Sequence, residues 1–245
     1  MRLLATARFA DTVVRLHQLA RANRDGLPEV AFVGRSNAGK STCINLICNR
    51  RRLAFSSRTP GRTQALNLFA LGPDTPGSRP IGFLVDTPGY GFAAAAPEAK
   101  RSWQALAGDY LRGRAALVGV VLMLDIRREL TDLDRQLLGW TPSTLPLVVV
   151  LTKADKLSRP QARAALERVA ADPALSGRDA PTLLLLFSMM SRIGVEPLQA
   201  AIEALLTADA GDWDRLADRA DPAQPTLRRQ QFAPPTDPAP LEPAR

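Results

Sequence analysis

The chain has 245 residues, 46% of them hydrophobic, which is enough for one large α/β domain with appendages and a full core. Its formal net charge of +8 points to a polyanionic partner, with nucleic acid the leading candidate. No apolar run approaches the roughly 20 residues of a membrane span, and Arg2 and Arg8 precede no signal-peptide core, so a cytoplasmic protein is expected.

Residues 1–26 read as an extension packed on or beside the main domain. Phe9, Val13, Leu16 and Ala20 have helical spacing, whereas Thr12-Val13-Val14 favours a strand, and both readings stay open. His17, the only histidine, has no acidic or cysteine companion and reads as a partly exposed structural residue rather than a metal ligand. The main domain is expected over 27–208. Its first apolar run, Val30 to Val33, opens into Gly34-x-x-x-x-Gly39-Lys40-Ser41, the P-loop pattern with a strand before it and a helix after it. Glycines there let backbone N–H groups close around phosphate oxygens. The helix N-terminus adds unpaired N–H groups and partial positive charge. Lys40 is expected to reach the β- and γ-phosphates, and the Ser41 hydroxyl to bind Mg²⁺. Cys43 and Cys48 lie on this helix with side chains diverging by about 140°, which excludes an intrahelical disulfide. They read as buried free thiols beside Ile44 and Ile47, in keeping with a reducing compartment.

After Arg50-Arg51-Arg52, the polar stretch Ser56 to Gln64 is expected to loop toward the nucleotide from the side opposite the P-loop. A strand from Ala65 to Leu71 and a turn cluster lead to the strand Ile81 to Val85, which ends in Asp86-Thr87-Pro88-Gly89. Carboxyl ends of parallel strands form the ligand edge of such sheets. That places Asp86 near Mg²⁺ and the Gly89 amide near the γ-phosphate. The small-residue run Gly91 to Ala96 should be mobile. Trp103, Leu106, Tyr110 and Leu111 form the apolar stripe of a docked helix. The strand Leu117 to Leu124 ends in Asp125, and Thr131-Asp132-Leu133-Asp134 is a capping box opening another helix. The strand Leu145 to Leu151 ends in Thr152-Lys153-Ala154-Asp155-Lys156, and a helix buries Ala162, Ala165, Leu166 and Val169. The last strand, Thr182 to Phe187, ends in Ser188-Met189-Met190, and a final helix starts at Pro197. Strands alternating with helices imply a mostly parallel sheet covered on both faces. Residues 209–245 are Pro-rich and read as a disordered tail.

The strand-end elements Gly34 to Ser41, Thr63, Asp86 to Gly89, Thr152 to Asp155 and Ser188 stand in the order that guanine-nucleotide hydrolysis requires. Thr63 can close its hydroxyl onto Mg²⁺ and its backbone onto the γ-phosphate. The Asp155 carboxylate matches the N1–H and 2-amino donors of guanine, and the Lys153 stem can lie over the base. Adenine would leave Asp155 without that donor pair, which is costly for a buried carboxylate. A P-loop kinase fits less well, because no phosphoacceptor site is apparent.

The segments GRSNAGKST, TPGRTQ, DTPGYGFA, DIRR with TDLDRQ, and TKADKL resemble the EngB (YihA/YsxC) GTPases, a bacterial branch of the TRAFAC class of P-loop GTPases, over Leu27 to Leu206. The resemblance implies a Ras-like fold: a mostly parallel sheet with one antiparallel edge strand and helices on both faces. It also implies Mg²⁺-dependent GTP binding and hydrolysis, and a role in assembling the large ribosomal subunit, with normal cell division and septation depending on it downstream. Phosphates would contact Gly34, Arg35, Ser36, Asn37, Ala38, Gly39, Lys40 and Ser41, together with Gly61, Arg62, Thr63, Gln64 and Ala65. Mg²⁺ would use Ser41, Thr63 and, through water, Asp86, while Thr87, Pro88 and Gly89 sense the γ-phosphate. The base would meet Thr152, Lys153, Ala154 and Asp155 and the backbone of Phe187, Ser188 and Met189.

Lys40, Thr63, Gly89 and Asn37 are the catalytic candidates. Asn37 enters because related GTPases with asparagine there use K⁺; the alternative is a side chain that stabilises the loop. Two positions depart from the family pattern. Ser188-Met189-Met190 replaces Ser-Ser-Leu, and Phe92 with four alanines replaces a lysine-containing switch. Ras-type enzymes orient the attacking water with a glutamine after Asp-x-x-Gly; Tyr90 stands there instead, so slow intrinsic hydrolysis is expected. The expected partners are GTP or GDP and the large ribosomal subunit or its precursor, engaged by a monomer. The alternative function is a ribosome- or RNA-binding module whose bound guanine nucleotide is structural, with negligible turnover.

Overall fold

Apolar residues at consecutive positions, rather than alternate ones, mark strands covered on both faces. The computed structural model describes residues 3–54, 65–75, 78–91 and 97–207. Its strands are β1 (Arg8–Val13), β2 (Glu29–Gly34), β3 (Leu66–Leu71), β4 (Gly82–Asp86), β5 (Leu117–Asp125), β6 (Leu147–Thr152) and β7 (Thr182–Leu186). Every residue of β2, β4 and β6 is buried. The sheet order is β1-β3-β4-β2-β5-β6-β7. From β4 to β7 the neighbours run parallel, whereas β3 runs antiparallel to both β4 and β1. This is the mostly parallel α/β sheet with an antiparallel edge that the sequence implies.

The ambiguous N-terminal stretch resolves as a strand. β1 pairs with the free edge of β3, with a bulge between Phe9 and Asp11. Val13 is buried, while Phe9 stays exposed and meets Phe69 edge-on at 6.3 Å. The helical spacing survives only in a 3-10 turn at Leu16–Gln18 and in the short α1 (Leu19–Ala22), and His17 is exposed. An available row of β3 hydrogen-bonding groups outweighed the local periodicity.

The remaining helices are α2 (Lys40–Ile47), α3 (Pro97–Gly113), α4 (Asp132–Trp140), α5 (Arg159–Ala170), α6 (Pro173–Ser176) and α7 (Val195–Thr207). α2 and α7 cover one face of the sheet; α3, α4 and α5 cover the other. α7 starts two residues before Pro197, which therefore sits in its first turn, where a missing N–H costs nothing. Cys43 and Cys48 are buried free thiols, and burial pushes the Cys48 thiol up to about 12. Trp103, Leu106, Tyr110 and Leu111 are buried as one stripe of α3. Among the described residues no helix is long and apolar enough to cross a membrane.

The start of β2 is fixed by a polar network. Glu29 is fully buried and accepts from the Tyr110 hydroxyl at 2.9 Å, from Arg114 Nε at 3.1 Å and from Asn23 Nδ2 at 2.7 Å. A carboxylate this deep is tolerable only with its lone pairs satisfied. Glu29→Ala leaves Tyr110 and Arg114 facing an apolar gap. It should lower the unfolding free energy by about 3 kcal/mol in urea titrations; an unchanged midpoint would show the network to be energetically neutral.

Candidate nucleotide site

The loop after β2 turns through Asn37 (φ 63°) and Gly39 (φ 97°) before α2 opens. Gly39 sits where a side chain is strained, and asparagine is among the few residues that accept such a conformation at position 37. No side chain caps α2. The first-turn N–H groups of Lys40, Ser41 and Thr42 consequently lack intrahelical acceptors, which is the arrangement that receives an anion. Lys40 is buried and its Nζ turns back to donate to the Gly34 carbonyl at 3.0 Å. Burial lowers its pKa, and the neighbouring Asp86 opposes that shift. Phosphate oxygens are stronger acceptors for this ammonium than a carbonyl is.

Asp86 ends β4, and the β2–β4 register sets it beside Phe32. The Ser41 hydroxyl donates to Asp86 Oδ2 at 2.9 Å, while Asp86 Oδ1 is buried without a hydrogen-bond partner. Burial raises the Asp86 pKa, and Lys40 and the Ser41 hydroxyl work against that rise. An orphaned buried carboxylate oxygen beside a serine hydroxyl fits Mg²⁺. That ion uses one or two protein oxygens and completes its shell with water and phosphate. Among the described residues no group of three or more His, Cys, Asp or Glu side chains could cage a metal.

The chain from Thr87 to Gly91 runs against the P-loop. Thr87 donates its hydroxyl to the Phe32 carbonyl at 2.8 Å, and the Ser36 N–H donates to the Tyr90 carbonyl at 2.8 Å. Arg35 and Tyr90 form a parallel bridge. At Gly89 a Cβ would lie 2.9 Å from both Lys40 Nζ and Ser36 Cα, so only glycine allows this approach. The Tyr90 side chain is buried and its hydroxyl donates to Asp134, which takes it away from any water-orienting role.

The second half of the site lies at the ends of β5, β6 and β7. Lys153 adopts φ 61° and donates from Nζ to Asp125 at 2.8 Å. Asp125 also accepts from Arg127 Nε at 2.9 Å and its terminal nitrogen at 2.6 Å. Those contacts, Arg127 first, hold the Asp125 carboxyl well below the usual range. The Ser188 hydroxyl donates to Asp155 Oδ1 at 2.7 Å, Lys156 stands 3.3 Å from the other oxygen, and the Asp155 pKa falls accordingly. The N–H of Phe187 is taken by the Leu151 carbonyl and that of Ser188 by the Ile193 carbonyl. The Met189 N–H has no hydrogen-bond partner among the described residues.

The fold thus gathers Lys40, Ser41, Asp86 and Gly89 at one point, and Thr152, Lys153, Ala154, Asp155 and Ser188 at another. The P-loop and the Met189 loop nearly touch: a Cβ on Gly39 would sit 3.3 Å from Met189 Cε. Asn37 is exposed, with no hydrogen bond to its side chain among the described residues. Gly61, Arg62, Thr63 and Gln64 lie outside the described residues, as do Phe92 and the alanines to residue 96; Ala65 is buried just before β3. Motif reading overlooks Asp125 and Arg127 as orienters of Lys153. Their role follows from the β5–β6 pairing of Asp125 with Thr152, and the hint was a strand-terminal Asp two residues ahead of an arginine.

An uncapped helix after a glycine loop, a serine hydroxyl bonded to a buried Asp86 and a Thr-Lys-x-Asp loop on one sheet edge together define a P-loop GTPase. The model of a family described as "50S ribosome-binding GTPase" matches residues 29–153. The proteins named "Probable GTP-binding protein EngB" in Bordetella pertussis and Ralstonia pickettii are 50% and 48% identical to this chain. They align over 83% and 84% of it, and over 96% and 89% of their own lengths. The Cupriavidus taiwanensis protein of the same name is 44% identical over 98% of this chain and 100% of itself. This chain belongs to the EngB family of GTP-binding proteins. A crystal structure of a probable GTP-binding protein EngB shares its fold, with a TM-score of 0.55 at 19% identity over 74% of this chain and 99% of that one.

Asp155→Asn should move nucleotide preference from guanine toward xanthine by about tenfold or more in competition binding, because the amide reverses one donor–acceptor match. An unchanged guanine preference would remove Asp155 from the base site.

Proposed function

We propose that this GTPase is a slow, Mg²⁺-dependent nucleotide switch that acts in assembly of the large ribosomal subunit. The observation that carries the switch is the contact of Gly89 with Lys40 and Ser36. A γ-phosphate bound by Lys40 would have to meet the Gly89 amide, and its loss would release that amide. Lys40 and the α2 N-terminus would bind phosphates, with Ser41, Asp86 and Thr63 serving Mg²⁺. When bound, Mg²⁺ would neutralise charge that develops on the phosphates. Lys153 would cover the base while Asp155 and the Met189 N–H read its edge. Tyr90 supports low intrinsic turnover, since its hydroxyl is committed to Asp134.

The ribosomal part rests on the description of the matching family, which names 50S ribosome binding, and on the chain's charge of +8. Arg50, Arg51 and Arg52 are exposed just after α2, and Arg128 is exposed just before α4. Such groups suit an RNA phosphate backbone. Monomeric action in the cytoplasm, with cell division and septation depending on subunit assembly, completes the reading. Asn37 would hold K⁺ near the phosphates, a role open to its exposed side chain, which makes no hydrogen bond among the described residues.

Cosedimentation with large-subunit precursors should be strong with a non-hydrolysable GTP analogue and weaker by about tenfold with GDP, the size of a typical coupling energy. Turnover should be faster in KCl than in NaCl at equal ionic strength. Equal sedimentation in both nucleotide states would reject the switch, and equal rates in the two salts would reject K⁺ at Asn37.

A further inference from the structure

The segment carrying Gly89 is held from two sides. In front, the Tyr90 carbonyl accepts the Ser36 N–H at 2.8 Å, and Gly89 stands against Lys40 Nζ. Behind, the Pro88 carbonyl accepts the indole N–H of Trp103, on α3, at 2.9 Å. The Tyr90 hydroxyl, on a side chain only 3% exposed, donates to Asp134 Oδ1 in the first turn of α4. The other oxygen of Asp134 accepts the Thr131 N–H at 2.7 Å and the Thr131 hydroxyl at 2.6 Å. One buried carboxylate therefore receives Tyr90 and caps α4. The aromatic rings continue the connection, with Tyr90 to Trp103 at 5.4 Å and Trp103 to Trp140, at the end of α4, at 5.6 Å.

We propose that Tyr90 is a positioning residue whose bond to Asp134 couples the Gly89 amide to the first turn of α4. The proposal rests on the switch reading of the phosphate site. A buried phenol hydroxyl and a buried carboxylate both lose heavily if left unpaired. A displacement of Gly89 that carries Tyr90 with it must either break that bond or pull on the helix cap. Close-packed interiors answer such a demand by moving between discrete arrangements rather than by stretching. The helix start lies where a partner could sense it. Arg127, Arg128 and Glu129 are exposed just ahead of α4, and with Arg35, Gly91 and Asp134 they line a cleft of about 290 Å³ beside the P-loop. The state of the phosphate site would thus be displayed at the Arg127–Asp134 stretch.

Tyr90→Phe keeps the ring and removes only the coupling hydroxyl. Amide hydrogen exchange over residues 131–137 is measured for wild type and variant, each with GDP and with a non-hydrolysable GTP analogue. In wild type, exchange at these amides should differ between the two nucleotides by about threefold or more, and Tyr90→Phe should abolish that difference. GDP affinity should stay within about twofold, while single-turnover hydrolysis slows by about tenfold, as expected when one charge-assisted bond is lost. Asp134→Asn offers one acceptor oxygen where Asp134 receives three donors on two, so it cannot serve both Tyr90 and Thr131 and should lose the difference as Tyr90→Phe does. The proposal is overturned by a wild type without any nucleotide-dependent exchange in α4, or by a Tyr90→Phe or Asp134→Asn variant that retains it. The exchange comparison needs no turnover. A wild type that binds GTP without hydrolysing it would sink the hydrolytic switch and still test the coupling.

Discussion

Two opposite charges buried at one sheet edge set the terms for everything around them. Lys40 and Asp86 are both almost wholly removed from water; burial works against the charged form of each, and each partly offsets that cost for the other. Neither is satisfied by its neighbour alone: Lys40 leans on a backbone carbonyl, and one oxygen of Asp86 has no partner. Such a pair is a poor stabiliser and a good receptor. Its missing partners are those that a metal-bound polyphosphate offers.

The rest of the sheet edge is arranged to keep that pair in place and to read what sits on it. The parallel pairing of β2 with β4 brings Ser41 to Asp86, and the pairing of β5 with β6 brings Asp125 to Lys153. Asp125 holds the Lys153 loop much as Glu29 holds the start of β2. In both cases a carboxylate is held by an arginine and at least one other donor, Lys153 at Asp125 and Tyr110 with Asn23 at Glu29. The chain after Asp86 is pressed closely on the P-loop at Gly89.

Much of this was legible in the residues themselves. The P-loop, Asp86 to Gly89 and the Thr152 to Asp155 loop are local patterns in which spacing alone carries the chemistry, and β5 and β6 announced themselves by long apolar runs. The N-terminal strand was legible only as one of two readings, because Thr12 to Val14 favour it while Phe9 and Leu16 mimic a helix, and only the edge of β3 decides between the two. Asp125, Asp134 and Glu29 were also hidden as partners. Each acts through contacts far away in sequence, Tyr90 to Asp134 and Tyr110 to Glu29 among them, and no short motif encodes such pairings. Tyr90 shows the limit best. Its sequence position says what it cannot do, and only the packing of α4 against it shows what it does contact.

The central claim is that the Ser41–Asp86–Lys40 cluster is completed by Mg²⁺ together with a guanine nucleotide. The direct measurement is GTP-analogue affinity by isothermal titration with saturating Mg²⁺ and with EDTA, for wild type and Asp86→Asn. The account predicts that removing Mg²⁺ weakens wild-type binding by about a hundredfold and the variant by far less, since the metal's protein anchor is already gone. Equal affinity with and without Mg²⁺ in the wild type would contradict it.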